Sequence, residues 1–325
     1  MPNPSLSRAI EGFLLNVSSA GRSPYTIRNY KSDFARFINY VGDMQINQLE
    51  SSQIEDYFCY LKNAFRITKV ATTPITPRKI SQKTLSNTHG SLACFWKWAS
   101  KEFQIPNPFK VPPIKAYSMP VSPLKENEIV LLLNACRQTP KNPKNMKPYS
   151  SIRSTAKRDK AIILILLDSG VRVSELCGIL VKDYDEENGR LVVTGKGSKT
   201  RFVYLGKSSR HALWSYLLER YPSQKPLKDD PLFTERFGMY PLTRNGVLQL
   251  LKRLGNRVGV EGVHPHKFRH TFAVEFLRNG GNIFELQQLL GHAELDMVKK
   301  YVQIAQLDLE NSAMRASPVD HWRLR

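Results

Sequence analysis

Apolar residues recur at helical spacing along most of the chain. Leu6, Ile10, Phe13, Leu14 and Val17 predict a first helix that closes near Gly21. Ser23 and Pro24 open a second, a hydroxyl cap followed by a proline in the first turn, with Tyr30, Phe34, Phe37 and Ile38 on its buried stripe. A third centres on Ile54 to Leu61, and Ser81 starts a fourth that runs through Leu85 and Leu92 to Trp98. Residues 66–80 between them are polar, with prolines and four basic side chains, so a loop is expected there. Prolines at 106, 108, 112 and 113 then interrupt regular structure and predict a semi-rigid linker.

Beyond the linker the pattern becomes mixed. A helix is expected through Ile129 to Cys136. Residues 137–158 carry seven Lys and Arg and no acid, which predicts a basic loop, either solvated or against a polyanion. Ala161 to Leu167 is apolar all round and belongs to a buried helix. Asp168, Ser169 and Gly170 end it, Val171 to Leu176 opens the next, and Arg172 is held between the two, either as a salt bridge to Glu175 or as a binding group. Leu191 to Val193 and Arg201 to Leu205 alternate like strands around a glycine-rich, basic turn. Helices follow at 209–221 and about 243–258. Val263 and Pro265 start another, ended by Asn279, Gly280 and Gly281, and it places His266 and Arg269 one turn apart. A short helix from Phe284 to Leu290 stops at Gly291, and a third from about Leu295 carries Tyr301. Ile304 to Met314 reads as a last helix. The fold class is therefore mainly α with a small β-sheet or hairpin. A helical domain spans 1–104, a proline-rich linker 105–120 and a mixed α/β domain 121–325.

Charge changes the picture most. Against 28 Asp and Glu stand 48 Lys and Arg, a surplus of 20 that favours a polyanion such as nucleic acid. Residues 1–116 hold 15 basic and 7 acidic residues and the remainder 33 and 21, so both parts are basic, as in a clamp. The four cysteines, Cys59, Cys94, Cys136 and Cys177, form no close pair and read as packed thiols in a reducing cytoplasm. No apolar stretch approaches a membrane span and the start shows no signal-peptide pattern, so a cytoplasmic protein without a membrane partner is expected.

The order His266-x-x-Arg269, then Leu290-Gly291-His292, then Tyr301 nine residues on resembles the tyrosine recombinase (lambda-integrase) family. The strings PHKFRHTFA from Pro265 and LLGHAEL from Leu289 are close to its Xer-type members. The string SGVRVSEL around Arg172 approximates the family pattern, with Ser169 where threonine is usual. The resemblance implies that Arg172 and Arg269 bind the scissile phosphate, His266 manages the proton of Tyr301, and His292 donates a hydrogen bond to the same phosphate. It also implies that Tyr301 is the nucleophile of a 3′-phosphotyrosyl intermediate. Lys196, 24 residues after Arg172, resembles the family's catalytic lysine, with Lys199 as its local rival. Residues 1–104 resemble the core-binding domain and 121–325 the catalytic domain. The expected partner is a double-stranded DNA recombination site, bound in the synaptic complex by a homotetramer or by a heterotetramer with a related recombinase. No cofactor and no metal are expected. Alternatives are a metal site on His264, His266, His270 and His292, a type IB topoisomerase-like enzyme, and a non-catalytic DNA-binding protein.

Overall fold

The computed structural model describes residues 3–70, 73–114, 122–141, 149–195, 197, 199–235, 238, 240–291, 301 and 317–322. It divides into two compact units, Met1–Met119 and Pro120–Arg325.

The first unit is helical, with α1 (Leu6–Ser19), α2 (Pro24–Val41), α3 (Ser51–Asn63) and α4 (Gln82–Glu102). Three of these begin at serine caps. Ser5, Ser23 and Ser81 accept the backbone N–H of Arg8, Thr26 and Thr84 at 3.4, 3.2 and 3.1 Å, and such a cap contributes about 1 kcal/mol. The core is aromatic. Phe13 meets Phe34 and Phe95 edge-on, each at 5.7 Å between ring centroids. One buried carboxylate crosses it: Asp33 of α2 accepts from Thr88 at 3.0 Å and Ser91 at 2.7 Å, both on α4.

Residues 66–70 and 73–79 are strands and not a loop. β1 (Arg66–Val70) pairs antiparallel with β2 (Thr73–Lys79), with a register shift between Ile67 and Lys69. Isoleucine, valine and threonine make up half of the two strands and favour the pleat. Pro74 and Pro77 are tolerated because each strand of a two-stranded ribbon keeps one edge unpaired. Past α4 the proline-rich stretch lies on this unit through residue 114. Ile105, Phe109, Val111 and Ile114 pack against its core, and His89 Nε2 lies 2.9 Å from the Val111 carbonyl oxygen.

In the second unit α5 (Glu126–Arg137) leads into a short ribbon of β3 (Gln138–Lys141) and β4 (Tyr149–Ile152), where a basic loop was expected; residues 142–148 lie outside the described ones. The apolar run forms α6 (Ala156–Ser169). Ala161, Ile162, Ile163, Ile165 and Leu166 are fully buried, which makes α6 the centre of the unit. α7 is a single turn (Val173–Leu176). The hairpin gains a third strand, so that β5 (Tyr184–Asp185), β6 (Arg190–Thr194) and β7 (Thr200–Tyr204) form an antiparallel sheet in chain order. α8 (Lys207–Arg220), α9 (Arg244–Val258), α10 (Pro265–Arg278) and α11 (Ile283–Leu290) follow. Phe272, Ala273, Val274 and Leu277 of α10 and Leu286 and Leu290 of α11 form a second core around Tyr301. The helix expected from Ile304 to Met314 lies outside the described residues.

The cysteines are unbridged. Cys136 is buried as expected, but Cys59 and Cys94 are exposed rather than packed, because they face outward from α3 and α4. Among the described residues no helix is long and apolar enough to cross a membrane.

Candidate active site

Gly170 sets the direction of the chain into the site. It ends α6 in the left-handed region, at φ +59°, and a Cβ there would stand 2.3 Å from Cδ1 of Phe272, so no larger residue fits. Val171 is buried, and Arg172 follows as the extended residue that caps α7. Glu175, three residues on, turns back to it. Its Oε2 accepts the Arg172 backbone N–H at 2.7 Å and its Oε1 accepts from Arg172 Nη1 at 2.9 Å.

A second guanidinium grips the same carboxylate. Arg201 of β7 donates from Nη1 to Oε1 at 2.9 Å and from Nη2 to Oε2 at 2.8 Å. Its Nε reaches the Leu289 carbonyl of α11 at 2.6 Å. Burial would raise the Glu175 carboxyl, but the bonds from Arg201 and Arg172 outweigh it and hold the group at about 2. Glu175 is therefore ionised throughout the neutral range. The sequence reading missed Arg201. Its signal is the strand alternation, which places Arg201 on the same face as the fully buried Val203, where an arginine requires a counter-charge.

Arg269 comes from α10. The helix starts where the His264 ring caps it, Nδ1 accepting the Lys267 N–H at 3.3 Å, with Pro265 in the first turn. One turn on, Arg269 is only 4% exposed. It donates from Nη1 to the Gly170 carbonyl at 2.7 Å and from Nη2 to the Leu290 carbonyl at 2.6 Å. Burial, and then the Arg172 charge, brings it down to about 10, so it stays protonated at neutral pH.

His266 stands at the surface end of the same helix. Its imidazole is held below the usual value by desolvation, then by the Arg269 and Arg172 charges. The Tyr301 phenol is buried. Burial raises it, while Arg269 and then Arg172 pull it back. The His270 ring packs edge-on against Tyr301 at 5.1 Å, and its Nδ1 is buried with no hydrogen-bond partner among the described residues.

The structure thus brings Arg172, His266, Arg269 and Tyr301 into one electrostatic neighbourhood. Lys196 and His292 lie outside the described residues. Their preceding residues do not: Gly195 closes the β6–β7 turn with its N–H on the Lys199 carbonyl at 2.8 Å, and Gly291 ends α11 at φ +63°. Three guanidiniums, Arg172, Arg201 and Arg269, face one carboxylate here, a surplus of two positive charges suited to an anion. Among the described residues no group of three or more His, Cys, Asp or Glu is disposed to hold a metal ion, and the His264 ring is occupied as a helix cap. A tyrosine oxygen beside two guanidiniums and an unprotonated imidazole can attack phosphorus in a phosphodiester whose charge the arginines neutralise.

Known proteins resemble this chain in sequence and in fold. The profile described as the phage integrase family covers residues 123–307. The tyrosine recombinase XerC of Staphylococcus epidermidis is 33% identical over 300 residues, spanning 91% of this chain and 92% of its own. Among solved structures, the Tn1549 transposon integrase in complex with a circular intermediate DNA superposes with a TM-score of 0.70 at 20% identity, over 93% of this chain and 95% of that one. A lambda integrase dimer bound to a COC′ core site gives 0.68 at 16% identity, over 92% of this chain and 77% of that one. At such identities these two structures speak for the fold.

Proposed function

The chain belongs to the phage integrase family, and from that premise we propose that it is a site-specific tyrosine recombinase, which cuts and rejoins DNA strands through a 3′-phosphotyrosyl intermediate. The observation that carries this reading is the buried Tyr301 phenol within the field of both Arg172 and Arg269. In the proposed reaction the scissile phosphate lies against these two guanidiniums, which bind its nonbridging oxygens by charge-assisted hydrogen bonds. His266, neutral near pH 7, takes the phenolic proton. The Tyr301 oxygen forms a bond to phosphorus as the bond to the 5′-oxygen breaks. We assign the proton for that leaving oxygen to Lys196, and a further hydrogen bond to the phosphate to His292. The phosphotyrosyl bond conserves the energy of the broken one, so a 5′-hydroxyl of another strand displaces Tyr301 without ATP.

We further propose that the two basic units close on double-stranded DNA as a clamp, and that four copies assemble across two recombination sites. The charge surplus in both parts of the chain supports the clamp. Apolar Ile304, Leu307, Leu309 and Met314 supply a segment that could dock on a neighbouring copy.

The test begins with DNA covalently trapped on the protein in cells, whose sequence gives the site. A nicked suicide substrate carrying that site should yield an SDS-resistant adduct with wild type and none with Tyr301→Phe, at unchanged DNA affinity. An undiminished adduct in the variant would remove Tyr301 as the nucleophile. Relaxation of supercoiled plasmid with no sequence preference would favour a topoisomerase instead.

A further inference from the structure

We propose that Arg201 is a positioning residue for strand cleavage: by holding Glu175 it keeps half of the Arg172 guanidinium open for the phosphate. The proposal rests on the recombinase reading above.

Glu175 is 3% exposed, and each of its oxygens accepts one bond from Arg201 and one from Arg172. A carboxylate offers about four lone-pair sites, so this one is fully used. Arg201 takes the side-by-side, two-bond arrangement that a guanidinium and a carboxylate prefer. Arg172 is left with a single side-chain bond, from Nη1, and its Nε and Nη2 have no partner among the described residues. The exposures agree. The Arg172 side chain is 35% exposed and that of Arg201 13%, so the former meets the substrate and the latter lies beneath it. Without Arg201, Glu175 is free to turn and take Arg172 by both prongs, which withdraws the group that binds the phosphate.

The same pair touches the approaches to two more site residues. A Cβ on Gly195, which precedes Lys196, would stand 3.2 Å from Glu175 Oε1. A Cβ on Gly291, which precedes His292, would stand 3.1 Å from Arg201 Nη1. The Arg201 Nε bond to Leu289 ties the cluster to the end of α11. One buried ion pair therefore ties the start of α7 to the end of α11 and lies directly against the turn after β6.

Capture of Arg172 by Glu175 predicts a rescue that loss of structure does not. Single-turnover cleavage of the suicide substrate at saturating DNA should fall about 100-fold in Arg201→Met, the scale of one lost preorganised contact. DNA affinity, set by many other cations, should stay within about twofold. Adding Glu175→Gln removes the charge that captures Arg172, and the double variant should cleave about tenfold faster than Arg201→Met alone, since a neutral amide binds a guanidinium far less strongly than a carboxylate does. A double variant no faster than the single one, or Arg201→Met cleaving at the wild-type rate, would overturn the proposal. Arg201→Lys carries the same comparison should the methionine variant melt below the assay temperature; its point charge satisfies one oxygen, so an intermediate rate and the same rescue are expected. Wild type that forms no adduct would sink the recombinase reading itself, whatever the Arg201 variants do.

Discussion

Asp159 and Glu175 are both buried carboxylates of the second unit, each gripped by two arginines, and they do different work. Asp159 accepts from Arg158 at 3.0 and 2.7 Å and from the Thr155 hydroxyl at 2.9 Å, and pairs with the Arg153 charge at 2.6 Å. Other donors of these arginines also end on protein. Arg158 Nη1 reaches the Thr234 carbonyl at 2.9 Å and Arg153 Nη1 the Cys136 carbonyl at 3.3 Å. That cluster is a knot joining α5, α6 and the segment before α9. Around Glu175 one guanidinium is used up, and the other keeps Nε and Nη2 without a partner among the described residues. Like ingredients give a structural knot where both arginines also bond other protein groups, and a binding site where one guanidinium edge is left over.

The comparison breaks most sharply at Asp159. Asp159→Asn leaves Arg153 and Arg158 buried beside a neutral amide, and removing one partner of such a cluster costs about 3–5 kcal/mol. Denaturant unfolding should show that loss, while cleavage per folded molecule stays at the wild-type rate. Arg172→Ala should do the reverse. Its cleavage should fall about 100-fold, or about 2.7 kcal/mol of barrier, with the melting temperature and most of the DNA affinity retained. Equal loss of binding and cleavage would mean that Arg172 belongs with the knot.

A smaller effect sharpens the contrast through pH. Glu175 is depressed to about 2, so its ion pairs are in place above the ordinary carboxylate range and are lost only as pH falls toward that value. His266 titrates much closer to neutrality, below its usual 6.5, and accepts a proton only when unprotonated. Adduct formation at limiting DNA, measured from about pH 5 to about pH 8, should rise by a few fold through a midpoint below 6.5 and then level off. His266→Asn should abolish that limb, and a limb that persists would assign it to another group.

Much of this was legible in the sequence, for local reasons. Arg172, His266, Arg269 and Tyr301 each sit within a few residues of the glycine, proline or apolar pattern that places them. Arg201 does not. Its partners Glu175 and Leu289 are 26 and 88 residues away, and only the folded sheet and α11 bring them together. The Asp159 knot hid likewise, since Thr234 lies 76 residues beyond Arg158. The β1–β2 ribbon was missed because Pro74 and Pro77 read as breakers, which they are only where both strand edges are paired. At two residues, β5 is too short to show an alternation.

Arg269 shows what a charge gains from the backbone. Its two carbonyl partners, Gly170 and Leu290, lie at the carboxyl ends of α6 and α11. The aligned peptide dipoles of a helix place roughly half a negative elementary charge at that end. Two such ends together offset about one elementary charge of the guanidinium, and the Glu175 carboxylate adds its field from the Arg172 side. A carboxylate there would repel an arriving phosphate and compete for the same donors, whereas a dipole fixed in the backbone does neither and cannot be neutralised by a proton. The lengths of α6 and α11 are therefore part of the chemistry. Fraying the last turn of either would take one of these ends from a buried cation, and would reach the reacting phosphate without touching a side chain that binds it.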